Sequence, residues 1–395
     1  MHSRPSPVIH HQIVTVFVIL GLLTGCTRSA NSGQPTRFAT LPPSVTHSVP
    51  PRPPNATLPL PTTSPTSSMP PPTASPTPPQ PDTPGSPVIG PENAGLLVVF
   101  EDLAVTNARF INWLPIPAAL PDLVLVTEQD LILLSQAPLA EAGRLQAPGT
   151  TTIAVSPDGR LLASASEDFN IQLWDLPTQA KLDALAGHTG DITGLAFSPA
   201  GDSLVSASYD NSLRVWDTAT GELSAEWELE YWPASVEFAP AGDLLAAIDP
   251  QEFTVHLLEA ATGEERRILV WAEHASPVLY GASFSPSWEQ LAWIARGTIL
   301  LMDVASGVPG LVLGHEEFVT NTAWSPDGRL LASAAPATIA GQFLPAVTLW
   351  EVTSGERVNV LALDQPVVSL AFSPDGRRLA TLDNAGLLQL WGVAE

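Results

Sequence analysis

The sequence predicts an all-β protein, a seven-bladed β-propeller of four-stranded antiparallel blades, its ring closed by an N-terminal strand set into the last blade. Three observations predict it. A tight Pro-Gly turn recurs along the chain, a strand ending in Trp-Asp or a relative follows each turn, and the last copy stops one strand short of a full set.

The turn has five close copies: Ser156-Pro157-Asp158-Gly159, Ser198-Pro199-Ala200-Gly201, Ala239-Pro240-Ala241-Gly242, Ser325-Pro326-Asp327-Gly328 and Ser373-Pro374-Asp375-Gly376. Ser285-Pro286-Ser287-Trp288 is a variant. Proline presets φ at the second position and glycine accepts the fourth, so each copy reads as a hairpin turn. An apolar strand such as Ile192 to Phe197 precedes it and another such as Leu204 to Ser208 follows. A short polar turn then leads to a third strand, which ends in Trp174-Asp175, Trp216-Asp217, Leu258-Glu259, Met302-Asp303, Trp350-Glu351 or Trp391-Gly392. A degenerate first unit precedes these, with Trp113-Leu114-Pro115 at its first turn and Leu131 to Leu134 as its third strand. The segment Leu96 to Phe100 then remains unclaimed, and the last unit lacks an outermost strand. Pairing the two closes the ring and removes an exposed edge.

The set Gly187-His188, Asp210 and Trp216-Asp217 resembles the WD40-repeat family, and the resemblance covers the whole region after residue 91. It implies a structural network of His in the loop leading into a blade, Ser or Thr on the second strand, Asp in the next turn and Trp on the third strand. In the third unit these are His188, Ser206 or Ser208, Asp210 and Trp216, and in the second unit Asp168 and Trp174 stand without a His. His274 and His315 hold the loop position in units that lack the turn Asp. Ser, His and Asp are also the inventory of a hydrolase triad. A triad does not require the Trp, however, whereas a buried indole N–H does require a partner. The expectation is therefore no catalytic residue and no enzyme. No cofactor or metal is expected either, since one carboxylate per turn falls far short of the six to eight oxygens calcium takes. His256, on an alternating strand, is expected to point outward to solvent.

The N-terminal part divides differently. Arg4 is followed by the apolar run Ile13 to Leu23 and then Leu23-Thr24-Gly25-Cys26. This resembles the lipobox of bacterial lipoproteins, which implies a signal peptide over 1–25 and a lipid on Cys26, the single cysteine. The apolar run is too short to cross a bilayer as a helix, which takes about 20 residues. From 26 to 91 proline, Ser and Thr dominate and the only charges after Pro35 are Arg37, Arg52 and Asp82, a composition of disordered linkers. The folded domain is expected over 92–395.

A formal charge of −24 argues against nucleic-acid binding, because phosphate contacts need Lys and Arg. Loops of one propeller face carry Phe169, Tyr209, Tyr231, Trp232, Phe253 and Phe318 beside several glutamates, and a longer loop between Ser333 and Val347 adds Phe343. Aromatic anchors beside carboxylates suit a peptide or a cationic group. The expected function is a lipid-anchored, extracytoplasmic scaffold or binding protein, monomeric, holding a protein, peptide or envelope component. The alternatives are an envelope hydrolase or lyase working at the central channel and a subunit of an envelope assembly or transport complex.

Overall fold

A computed structural model describes residues 87–115, 122–136, 138–270, 279–295 and 297–394. Cys26, the signal-peptide and linker readings up to residue 86, and His274 lie outside the described residues. The described chain forms seven four-stranded antiparallel sheets, in agreement with the predicted seven-bladed propeller.

Blade 1 contains Ala108–Trp113, Leu123–Thr127, Asp130–Gln136 and Leu139–Gln146, from channel to rim. Blade 2 contains Thr150–Val155, Leu161–Ser166, Ile171–Asp175 and Ala180–Leu185. Blade 3 follows with Ile192–Phe197, Ser203–Ser208, Ser212–Asp217 and Leu223–Glu228. Blade 4 is Ser235–Phe238, Leu244–Asp249, Thr254–Glu259 and Glu265–Val270. Blade 5 is Leu279–Phe284, Gln290–Ala295, Thr298–Asp303 and Pro309–Gly314. Blade 6 has Asn321–Trp324, Leu330–Ala334, Ala346–Glu351 and Arg357–Ala362, with an added hairpin of Ala337–Ile339 and Gln342–Leu344 in the predicted long loop.

Blade 7 is the composite one. Val367–Phe372, Leu379–Asp383 and Leu387–Val393 come from the C-terminal end, and Leu97–Ala104 completes the sheet. Leu97 pairs with Val393 and Ala104 with Leu387, so the closing strand is longer than the predicted Leu96 to Phe100. The packed body also begins before residue 92. Ile89, inside the segment read as linker, is fully buried in the blade 6–7 core, and its N–H donates to Gly376 O at 2.8 Å. An isolated Val-Ile in a proline-rich stretch gives no periodic signal that would mark such an anchor.

The core is a ring of seams. Seven apolar clusters are present, one at each junction between neighbouring blades. At the blade 2–3 seam, Ala163, Ile171 and Leu173 meet Leu195, Phe197, Leu204 and Trp216. Each sheet is buried on both faces because it has a neighbour on both sides. That is why second strands can read as continuous apolar runs, such as Leu123 to Val126 of blade 1.

The recurrent turns lie on one face, called lower here, between first and second strands. Ser156 Oγ donates to Asp158 Oδ1 at 2.6 Å and accepts from Leu161 N–H at 2.8 Å, and the same pattern repeats at Ser325 and Ser373. The turn aspartates thus hold the turns, as their predicted role requires. Adjacent turns also touch. Gly201, Gly242, Gly328 and Gly376, all at positive φ, each face the turn proline of the preceding blade, so close that a methyl group there would meet it at 3.4–3.9 Å. The loops leading into the blades and the turns between second and third strands form the opposite, upper face.

Candidate functional site

On blade 3 Trp216, Ser206, His188 and Asp210 form one hydrogen-bonded chain. Ser206 lies on the second strand and Trp216 on the third, where antiparallel pairing brings them within reach, while His188 enters from the loop after Leu185. Trp216 Nε1 donates to Ser206 Oγ at 2.9 Å, and Ser206 Oγ lies 2.7 Å from His188 Nε2. His188 Nδ1 lies 2.9 Å from Asp210 Oδ2, which also accepts from Thr189 N–H at 2.9 Å. Ser212 Oγ donates to Asp210 Oδ1 at 2.6 Å.

Burial pulls the Asp210 carboxyl up, but the bonds from Ser212, Thr189 and His188 outweigh it and hold the group down at about 2. Burial lowers the His188 imidazole, against the pull of Asp210. A neutral His188 then donates from Nδ1 to the Asp210 carboxylate and accepts the Ser206 hydroxyl proton at Nε2. This is the direction of hydrogen bonding in a hydrolytic triad. Two features separate it from one: Ser206 is fully buried, and its oxygen already accepts the Trp216 indole. No substrate carbonyl reaches that oxygen in this packing.

Other blades carry parts of the network. On blade 2 Trp174 Nε1 donates to Ser164 Oγ at 2.9 Å. Asp168 is engaged apart from that pair, accepting from Ser166 Oγ and Asn170 N–H. Blade 6 has Trp350 to Ser333 at 2.8 Å with His315 Nε2 at 3.1 Å, and burial pushes His315 down to about 4. On blade 7 Thr381 takes the Trp391 proton at 2.9 Å. Ser208, predicted as an alternative member on blade 3, stands outside the chain and donates to Gly190 O.

The predicted binding-face residues all lie on upper-face loops, yet only part of the set converges. Tyr209, in the second turn of blade 3, is 51% exposed, and its ring meets Trp232 edge-on at 4.9 Å from the loop into blade 4. Tyr231, the neighbour of Trp232, faces inward. It stacks on His256 at 4.3 Å, its hydroxyl is buried without a partner, and burial foremost, with Asp249 and Glu265, raises its pKa. Phe169 and Phe253 occupy second turns of blades 2 and 4 at positive φ, and Phe253 is partly packed on the blade 4–5 core. Phe318 and Phe343, both exposed, belong to blade 6 and its added hairpin.

His256 corrects the expectation of an outward imidazole. It is buried, with Nδ1 at 2.6 Å from Glu265 Oε2 and Nε2 at 2.9 Å from Thr254 Oγ1. The alternation holds for a strand with one wet face, but this third strand is covered on both faces by adjacent blades.

Blade 3 also carries a cleft of about 370 Å³ lined by Thr189, Asp210, Asn211, Arg214, Glu226 and Glu228, in which Asp210 is the chain neighbour of Tyr209. Arg214 reaches Glu226 at 2.7 Å, leaving Glu228 and the rim carboxylates in excess. Sequence reasoning missed this cleft, because only the register of the outermost strand, with Glu226 opposite Arg214 and Glu228 opposite Ser212, brings these carboxylates to the turn. Among the described residues, no group of three His, Cys, Asp or Glu side chains could hold a metal ion.

This architecture is that of a seven-bladed propeller that contains WD40 repeats. The family described as WD domain, G-beta repeat matches residues 143–175, 179–217 and 307–339. Each match opens on or near the outermost strand of one blade and runs into the next, so the sequence repeat is staggered against the structural one. The chain is also similar to Periodic tryptophan protein 2 of Arabidopsis thaliana, 30% identical over 205 residues, which covers 48% of this chain and 21% of that protein. The chain thus spans about a fifth of the length of this curated relative.

Proposed function

We propose that this protein is a non-catalytic interaction scaffold that captures a protein or peptide partner through the upper edge of blades 3 and 4, using Tyr209 and Trp232 as anchor rings. The single observation that carries the proposal is the edge-on pair of exposed Tyr209 and half-buried Trp232 on a blade whose cleft is rich in carboxylates. Aromatic anchors next to acidic groups suit a basic side chain on the partner, held by ring-face attraction and by charge. WD40 propellers as a class serve protein interaction, which agrees with this role. The excess of 40 acidic over 16 basic residues extends the same preference to the approach of the partner.

The lipobox-like Leu23-Thr24-Gly25-Cys26 supports a lipid anchor on the extracytoplasmic side, with the proline-rich segment as a spacer. At about 3.1 Å per residue a segment of this composition reaches on the order of 150 Å.

Cross-linking from intact membranes, read by quantitative mass spectrometry, tests both parts. The paired change Tyr209→Ser and Trp232→Ser should lower recovery of the captured partner at least about tenfold with the fold intact by circular dichroism, whereas Glu141→Gln on the blade 1 rim should not. Undiminished capture by the paired variant sinks the upper-face assignment. Cys26→Ser should move the chain out of the membrane fraction.

A further inference from the structure

Three departures from the repeat coincide at one junction. In the lower-face turn of blade 5, Trp288 stands where the other copies have glycine, and it keeps the left-handed backbone of that position at φ +58°. On the innermost strand of blade 4, Glu237 stands where Ala154, Ala196, Ser283, Ala323 and Ala371 occur in other blades. At the start of the outermost strand of blade 4, Arg266 and Arg267 follow one another in a chain with 16 basic residues in all. A bulky residue at positive φ and a carboxyl set into an inner seam both oppose folding, and such costs concentrate at functional places.

The geometry joins them. Trp288 stacks on Phe284 at 4.2 Å, and its Nε1 donates to Glu237 Oε1 at 3.3 Å, which holds the indole in place. A cleft of about 490 Å³ lies between blades 4 and 5, where the blade 4 turn of Ala239, Pro240 and Ala241 faces Ser287 and Trp288 of the blade 5 turn. Its apolar lining includes Pro240, Leu257, Trp288 and Val304, and Arg266 and Arg267 stand at its mouth. The Arg267 guanidinium is fixed by the carbonyls of Val304 and Ala305, which orient it without cancelling its charge. Arg266 pairs with Glu259 at 2.6 Å on the exposed rim, a contact of the kind that exchanges readily in water. The volume falls in the range of small-ligand pockets, and the mixture of apolar wall with a few placed polar groups is their usual make-up.

We propose that the lower cleft between blades 4 and 5 binds a small aromatic carboxylate, its ring system lodged against Trp288 and Pro240 and its carboxylate held by Arg266 and Arg267. Charge complementarity selects the occupant: in a strongly acidic protein, the paired arginines at an aromatic-walled cleft favour an anion there. The site lies on the face opposite the Tyr209–Trp232 edge, so it is independent of the proposed partner surface.

Isothermal titration of the full chain with naphthalene-1-carboxylate and with its uncharged amide tests the site. The acid should bind with one site per chain, and the amide at least about tenfold more weakly. Arg266→Gln should weaken the acid by about tenfold and leave the amide and the melting temperature unchanged, while Arg144→Gln on blade 1 should change nothing. Ala241→Trp, which fills the mouth, should abolish binding of both. No saturable binding to the folded chain, equal binding of acid and amide, or full binding by Arg266→Gln would each overturn the proposal.

Discussion

At Glu237 a carboxyl sits on an innermost strand with the Trp288 indole as its hydrogen-bond donor, and burial pushes it up to about 8. In the unfolded chain the same group titrates near 4.5. Between these values the folded state holds a proton that the unfolded state has released, so stability falls as pH rises through the window. Gln keeps an acceptor for the indole and never ionises. Glu237→Gln should therefore leave stability near pH 4 almost unchanged and raise it by about 1–3 kcal/mol at pH 8, a figure reduced for partial access of water. Urea unfolding at the two pH values measures this, and an equal effect at both would contradict the assignment. Nothing in the sequence sets this half-buried residue in an inner seam, because Ser-Val-Glu-Phe reads as an ordinary alternating strand with one wet face.

At the scale of a blade, the hydrogen-bonded chain on blade 3 shows what the repeat adds to a sheet. Ser206 serves two partners, since it accepts from Trp216 and donates toward His188, and Ser164 of blade 2 serves only Trp174. Removing a hydroxyl leaves each buried partner unsatisfied, at about 1–3 kcal/mol apiece. Ser206→Ala should accordingly destabilise by about 2–4 kcal/mol and Ser164→Ala by about half that, with hydrogen exchange accelerated on the blade carrying the change. Equal losses would mean that His188 finds another partner. The network was legible from residue types and the family resemblance, since His188, Asp210 and Trp216 recur at repeat spacing. That Ser206 rather than Ser208 is the shared link was not legible. Both are small hydroxyls of one strand, and only the pairing of Ser206 with Arg214, next to Val215 and Trp216, decides which one the indole meets.

Over the whole molecule, stability depends on closure. Seven junction clusters hold seven blades, and one of those blades is made from both ends of the described chain. A chain of residues 105–395 lacks Leu97–Ala104, which uncovers the edge of Leu387–Val393 and the wall of the blade 6–7 core that Leu97 completes. Compared with residues 87–395, it should melt several degrees lower and associate in a concentration-dependent way, because an unpaired edge recruits other strands. A melting temperature and sedimentation profile identical for the two chains would show that the closing strand contributes little.

The sequence by itself determined the period, the strand count, the turn chemistry and the strand that closes the ring. These follow from local rules: proline and glycine dihedrals, alternation of apolar residues, and the arithmetic of a missing strand. Tertiary structure alone decided which rings of the upper face meet, that His256 is buried, that Ile89 anchors the body, and that a cleft opens at Trp288. Each of these depends on a neighbouring blade, whose contacting residues lie between 23 positions away, as for Tyr209 and Trp232, and 287 away, as for Ile89 and Gly376, and local patterning carries no record of such distances.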